Sequence, residues 1–259
     1  MRLKGIGVSP GIGIGVAYVV KEFVADVTRK SAGTDEASRF TQAVEKLTEI
    51  LEKKAAAAGG EQAEILESHI MLLGDPMMIL DIESMITDEG CNGEYAVHMV
   101  FESYAAIFAQ SGNEVLMARA GDMRDIKSNL LTVMNGHDLP DLSAMPAGSI
   151  LTAAELTTSL AAGIDEKLVT GLITNIGGPT SHMAIIARSM DLPAVTGIND
   201  IKHGDRIVVD GGTGEIIVNP TQEELSKYQS IADAQRQEKA ALEKFIGVPG
   251  TTRDGRNVE

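Results

Sequence analysis

The sequence predicts an α/β domain interrupted by an inserted all-α, bundle-like domain and followed by a C-terminal linker helix. Three observations lead there. A run of strand formers, Val16 to Val20, meets no candidate partner strand until after residue 140. From 34 to 135 the apolar period is helical throughout, and after 140 short β-rich runs alternate with helices. A strand ahead of a helical stretch needs hydrogen-bond partners, and an insert is tolerated when its ends lie close together. Residues 1–30 and 140–225 therefore form one discontinuous α/β domain, 34–135 the helical insert and 221–246 the linker helix.

Taken in order, Ser9-Pro10-Gly11 punctuates the start and Val16, Ala17, Tyr18, Val19 and Val20 favour extended structure. Phe40, Val44, Leu47 and Leu51 then recur at spacings of four, three and four, which puts them on one helical face. Gly59-Gly60 breaks that helix, a second carries Ile65, Leu66, Ile70, Leu72 and Leu73, and Asp75-Pro76 restarts the chain into Met77, Leu80 and Met85. Helices near 94–110 and 113–134 flank Ser111-Gly112. Beyond Leu139-Pro140 the candidate strands are 148–153, 168–175, 193–196 and 206–218, the last folded at Asp210-Gly211-Gly212. Thr221 and Glu224 form a capping box that opens the linker helix.

Composition narrows the function classes. Lys and Arg total 22 against 37 Asp and Glu, and a net charge of −15 excludes a phosphate-backbone binder, so no nucleic-acid partner is expected. Cys91 is the only cysteine and can build neither a disulfide nor a thiol metal pair; a reducing cytoplasm is the expected location. Pro10 and the glycines from Gly5 to Gly15 break the one apolar run that could resemble a signal peptide, and no run reaches the roughly 18 residues that would insert in a membrane. Gly11, Gly13 and Gly15 lack the spacing of a dinucleotide fingerprint. No metal-binding set is predicted.

Of the five histidines, His182 has the setting for chemistry. It follows Gly177-Gly178-Pro179-Thr180-Ser181 and opens the apolar helix of Met183, Ile186, Ala187 and Met190, which Leu192-Pro193 stops. A helix start offers free N–H groups and the positive end of the dipole to an anion, and glycines let the backbone approach it. An imidazole there, neutral for a good fraction of the time near neutral pH, is a suitable nucleophile for a phosphoryl group. Thr180 and Ser181 can cap the helix or hydrogen-bond that group, and Arg188 can add positive charge. The competing reading is a histidine that merely caps. Ser181 and His182 are too close in sequence to form a hydrolase triad.

The segment from Gly177 through Ala187-Arg188-Ser189, with Leu192-Pro193-Ala194-Val195 after it, resembles the phosphohistidine signature of the phosphoenolpyruvate-utilising enzymes. Gly5-Ile6-Gly7-Val8-Ser9-Pro10-Gly11-Ile12 resembles the start of the Enzyme I group of that family. Ser68-His69-Ile70-Met71-Leu72-Leu73 and Ala118 to Ile126 resemble its helical insert. The resemblance implies an α/β phosphohistidine domain in which His182 takes the phosphoryl group from phosphoenolpyruvate and passes it to the phosphocarrier HPr, the first step of a sugar phosphotransferase system. It implies a phosphoryl environment of Gly177, Gly178, Thr180, Ser181 and Arg188, and a ring-orienting hydroxyl among Thr157, Thr158 and Ser159. Pro179 stands where many members carry a basic residue, so a phosphate contact from that position is not carried over.

The insert holds 7 Lys and Arg against 18 Asp and Glu, a net −11. A solvated surface is the plain reading; with the resemblance it becomes a docking face for HPr, formed by Glu61, Glu64, Glu67, His69, Met71, Leu72 and Arg119. His69 is expected at the surface. Thr252-Arg253-Asp254-Gly255 looks like the opening of a further domain, so 247–259 is read as the start of a phosphoenolpyruvate-binding barrel whose remainder lies outside this chain. Mg²⁺ and dimerisation belong to that barrel in the whole enzyme, whereas this piece needs no cofactor of its own, is monomeric, and exchanges phosphate with HPr without reacting with phosphoenolpyruvate. The alternatives are the swivelling phosphohistidine domain of a dikinase or synthase, and a non-catalytic acidic adaptor.

Overall fold

The structure, a computed structural model, describes residues 1–243, 250–251 and 257–258; side chains are described for 1–242 apart from Glu61, Glu114, Val115, Ala118 and His182. The chain divides into two compact units. One comprises Met1–Val19, Ala147–Thr152 and Lys167–Glu259, the other Val20–Pro146 and Ala153–Glu166. Three segments fall differently from the division read off the sequence: 20–30, 140–146 and 153–166, assigned above to the α/β part, group with the helices.

The α/β unit is built on a sheet of eight strands: β1 (Arg2–Lys4), β2 (Ile6–Ser9), β3 (Ile12–Val19), β4 (Ser149–Ala153), β5 (Val169–Thr174), β6 (Ala194–Thr196), β7 (Arg206–Asp210) and β8 (Glu215–Val218). Their spatial order is β1-β8-β7-β3-β4-β5-β6-β2. The pairs β3/β4 and β5/β6 are parallel, while β1/β8, β8/β7, β7/β3 and β6/β2 are antiparallel. The first strand finds its partners across the insert, as the unpaired run at the start required.

Both faces of the sheet are covered, and alternation along β7 shows it: Ile207 and Val209 enter one core with Ile150, Ile173 and Val195, while Val208 enters the other with Ile217 and Tyr228. Tyr228 belongs to helix α8 (Gln222–Glu243), which opens on the expected capping box: Thr221 N–H donates to Glu224 Oε2 at 2.9 Å, and Glu224 N–H to Thr221 Oγ1 at 3.2 Å. The β7–β8 turn begins at the expected Asp210-Gly211-Gly212 and runs on to Gly214; Asp210 Oδ1 organises it by accepting from Gly212 and Thr213 N–H at 3.1 and 2.9 Å. The glycines at 13 and 15 serve close packing, since a Cβ on them would meet Thr170 O at 2.3 Å and Gly148 O at 2.2 Å. Of the segment read as the start of a further domain, Gly250–Thr251 (β9) and Asn257–Val258 (β10) pair antiparallel; its other residues lie outside those described.

The helical unit contains α1 (Glu36–Ala57), α2 (Glu61–Leu73), α3 (Pro76–Thr87), α4 (Gly93–Gln110), α5 (Glu114–Met134) and the short α6 (Thr158–Ala161). One core runs through it, including Phe40, Leu47 and Leu51 of α1, Leu66 and Leu73 of α2 and Leu130 of α5. Asp75 caps α3 by accepting from Met77 and Met78 N–H, and Pro76 occupies its first turn. The buried stripe of α3 is Met78, Ile82 and Ile86, while Met77 and Leu80 stand 60% and 56% exposed.

α6 is tied to α5 by two carboxylates. Thr158 Oγ1 donates to Asp122 at 3.2 Å, and Ser159 donates to Asp125 from both N–H and Oγ at 2.7 Å. Thr157 caps α6, its hydroxyl accepting from Leu160 N–H at 3.3 Å.

Candidate functional site

β5 and β6 are short, apolar and buried, with the composition of strands covered on both faces. Loops that leave the carboxyl ends of parallel strands are the usual binding edge of an α/β sheet. The one that leaves β5 carries Asn175 to Ser181 and delivers the chain into α7 (His182–Ser189). Beneath it Thr174 Oγ1 donates to Thr196 Oγ1 at 3.1 Å, both hydroxyls buried. Gly177 rests on this pair with φ +145°; a Cβ would stand 3.0 Å from Thr196 Oγ1 and 3.4 Å from Ser181 Oγ. Only glycine fits that backbone comfortably.

Ser181 is the helix cap. Its Oγ donates to Gly178 O at 2.8 Å and accepts from Ala184 N–H at 3.3 Å, which closes the loop on the helix start. Ile185 N–H is taken by Ser181 O, so the amides of His182 and Met183 are the first-turn donors that helix geometry leaves over. Met183, Ala184 and Ala187 form the buried face of α7. His182 is thus the first residue of a helix whose start is exposed; its side chain lies outside those described. Thr180 is exposed in the loop, and the apolar Ile176 and Ile185 are 62% and 57% exposed on either side of it in sequence.

Arg188 does something the sequence did not announce. Its Nε donates to Ala184 O at 2.9 Å, and its Nη2 donates to the carbonyl of Pro179. The guanidinium clamps the loop by its backbone instead of standing free beside it. The Thr174–Thr196 pair was also missed, because two threonines 22 positions apart acquire meaning only when their strands are neighbours.

On α2, Glu64, Glu67 and Met71 share one exposed face, and Met71 is 72% exposed. Leu72 is half-buried against the core. Arg119 reaches α2 from α5, donating to Ser68 Oγ. The side chain of Glu61 lies outside those described. His69 corrects the expectation of a surface contact: it is 0% exposed, with Nε2 3.4 Å from Asp122 Oδ1 and neither ring nitrogen in a well-formed hydrogen bond. It shares the i, i+3, i+7 face of Leu66 and Leu73, and that face points into the core. Burial pushes the Asp122 carboxyl up, yet His69, Thr158 and Arg119 together outweigh it and hold the carboxyl below its ordinary range.

Among the described residues no cluster of three or more His, Cys, Asp or Glu could hold a metal ion, and no helix is long and apolar enough to cross a membrane. Of the hydroxyls offered for ring orientation, those of Thr158 and Ser159 give their protons to Asp122 and Asp125. Thr157 makes no such donation to a carboxylate among the described residues; its oxygen lies 3.4 Å from Ser159 Oγ.

Comparison with known proteins identifies relatives of the chain. Residues 4–119 match the N-terminal part of the PEP-utilising enzymes, and residues 145–214 their mobile domain. The chain is 34% identical over 268 aligned residues to the phosphoenolpyruvate-protein phosphotransferase of Staphylococcus aureus, covering 99% of this chain and 47% of that protein. For the Bacillus subtilis protein of the same name the figures are 34%, 100% and 47%. The chain therefore spans about half the length of the curated relatives it matches. Among solved structures, an Enzyme I solution structure superposes with a TM-score of 0.78 at 34% identity, covering 90% of this chain and 99% of that one. An N-terminal domain of a nitrogen-type Enzyme 1 gives 0.54 at 27%, covering 89% and 99%.

Proposed function

The chain belongs to the PEP-utilising enzymes, within their Enzyme I group, and from that premise we propose that it carries a phosphoryl group on His182 between phosphoenolpyruvate and the phosphocarrier HPr, the opening step of a sugar phosphotransferase system. The observation that carries this reading is the position of His182 as the first residue of α7, behind a glycine loop seated at the carboxyl end of β5.

In this reading a neutral imidazole nitrogen attacks phosphorus, forming an N–P bond as the donor's bond to phosphorus breaks. The electron pair of that broken bond leaves with the donor. The chain contributes position and field. The amides of His182 and Met183 and the helix dipole favour the negative oxygens, and glycine at 177 and 178 keeps side chains clear of them. Arg188 holds the loop in place, and its charge lies near the Pro179 carbonyl. HPr docks on the acidic α2 face of Glu64, Glu67 and Met71, where carboxylates surround an apolar anchor. Phosphoenolpyruvate, Mg²⁺ and dimerisation are assigned to the whole enzyme; cytoplasmic location is part of the same reading.

Incubation with phosphorylated HPr tests it. The expected product is acid-labile phosphate on this chain at one site, mapped to His182 and absent from His182→Ala. Phosphate on another histidine, or none on the parent, would overturn it and favour an acidic adaptor.

A further inference from the structure

A recess in the helical unit borders the Thr157 and Ser159 hydroxyls and also holds charged side chains to which no role has been given. It is lined by Lys54 of α1, Asp125 and Asn129 of α5, and Glu22, Phe23 and Leu139 of the connecting segments. Asp125 is fully engaged, accepting from Ser159 N–H and Oγ at 2.7 Å and from Asn129 Nδ2 at 3.1 Å. The Lys54 ammonium is not.

Lys54 is half-buried, and its ammonium forms neither a hydrogen bond nor an ion pair among the described residues. Burial lowers the pKa of its ammonium, while Asp141 and Asp125 offset this only through the field. Glu22 behaves in the opposite sense. Glu22 is exposed overall, yet partial burial pushes its carboxyl up, the charges of Glu155 and Asp125 add to that push, and the backbone N–H groups of Ala154 and Glu155 that donate to it offset it in part. One recess therefore holds an ammonium and a carboxyl that do not neutralise each other. A half-buried ammonium such as that of Lys54 is costly until a partner answers it.

The nature of that partner follows from the pair. A simple anion would satisfy Lys54 but meet Glu22 and Asp125; a simple cation would satisfy the carboxylates but meet Lys54. A molecule with both charges answers both. Phe23, stacked on His137 at 4.1 Å between ring centroids, supplies with Leu139 an apolar wall for a hydrocarbon substituent. We propose that this recess binds a small zwitterion of the α-amino acid class, with its carboxylate on Lys54, its ammonium on Glu22 and its side chain against Phe23 and Leu139.

The test is an amide NMR titration of the 259-residue chain with L-alanine, and in parallel with acetate and with methylammonium. L-Alanine should shift the Phe23 and Asn129 resonances saturably, at an affinity about tenfold or more above either singly charged ion, because charge-assisted contacts form at both ends. Lys54→Gln and Glu22→Gln should each weaken it by about tenfold, and Lys54→Arg should largely preserve it. Absence of saturation with L-alanine overturns the proposal, as does acetate binding equally tightly, or binding that is unchanged in Lys54→Gln.

Discussion

Arg188, in the last turn of α7, donates from its guanidinium to the backbone carbonyl of Pro179, nine residues earlier and across the start of the same helix. Since Nε also holds Ala184 O, one planar side chain ties the loop to the helix at two points. A lysine cannot reproduce that fork. Arg188→Lys and Arg188→Ala should both slow phosphoryl acceptance from HPr by about tenfold or more while leaving the melting temperature within a few degrees. Stopped-flow transfer and thermal melts check it; rates equal to the parent's would reduce the clamp to a surface contact.

Gly177 and Gly178 make contrasting demands. Alanine at 177 would combine a strained φ of +145° with a Cβ pressed against the Thr196 hydroxyl, whereas a Cβ at 178 meets nothing within 4 Å. Gly177→Ala should cost about 1–2 kcal/mol of stability and impair transfer, while Gly178→Ala should change stability by under about 0.5 kcal/mol. Urea denaturation of both variants provides the comparison.

The Arg39 network supplies a pH dependence. Arg39 pairs with Glu94 at 2.7 Å and Glu36 at 2.8 Å. Burial raises the Glu94 carboxyl, but hydrogen bonds from Arg39, the backbone and Asn92 outweigh it and its folded-state pKa lies below the ordinary value. A carboxyl depressed on folding stabilises the fold above its unfolded pKa, and that stability disappears as the pH falls through the folded pKa. Glu94→Gln should therefore cost about 1–3 kcal/mol near pH 7, and the gap between parent and variant should close as the pH falls below about 4. Chemical denaturation across that range measures it; a gap independent of pH would mean that Glu94 acts through shape alone.

How much of this was legible in the sequence depended on the range of the interaction. The Thr221–Glu224 box and the helix start at His182 are local, and both stand where spacing put them. The face of α1 was legible through Phe40, Leu47 and Leu51 because three residues of strong hydrophobicity fix a helical phase. On α3 seven of the twelve positions are Met, Ile or Leu, so Met77 and Leu80 could not be told from Met78 and Ile82 until packing chose the phase. His69 misled because its polarity was weighed above its place in line with Leu66 and Leu73. Arg188 with Pro179 was near in sequence but invisible, since charge was expected to face the phosphoryl group instead of the backbone. The ties from Asp122 and Asp125 to Thr158 and Ser159 span 36 and 34 positions, and no periodicity encodes them.

The docking face separates into two kinds of residue with different kinetic signatures. Glu64 and Glu67 are exposed carboxylates in an insert of net charge −11, so their effect on a basic partner acts at a distance and is screened by salt. Met71 is exposed and contributes little to the unbound core, while Leu72 is half-packed against that core. Charge reversal at Glu64 or Glu67 should therefore slow HPr association and flatten its dependence on ionic strength, with little change in dissociation. Met71→Ala should speed dissociation through the loss of about 1–2 kcal/mol of apolar contact and leave the melting temperature close to the parent's. Leu72→Ala should affect both quantities, because the same side chain supports the fold, which makes Met71 the cleaner probe of the interface. Stopped-flow binding at low and moderate salt, beside a thermal melt of each variant, distinguishes these effects: association that ignores both charge reversals would leave α2 as a solvated acidic surface and move the contact elsewhere on the chain.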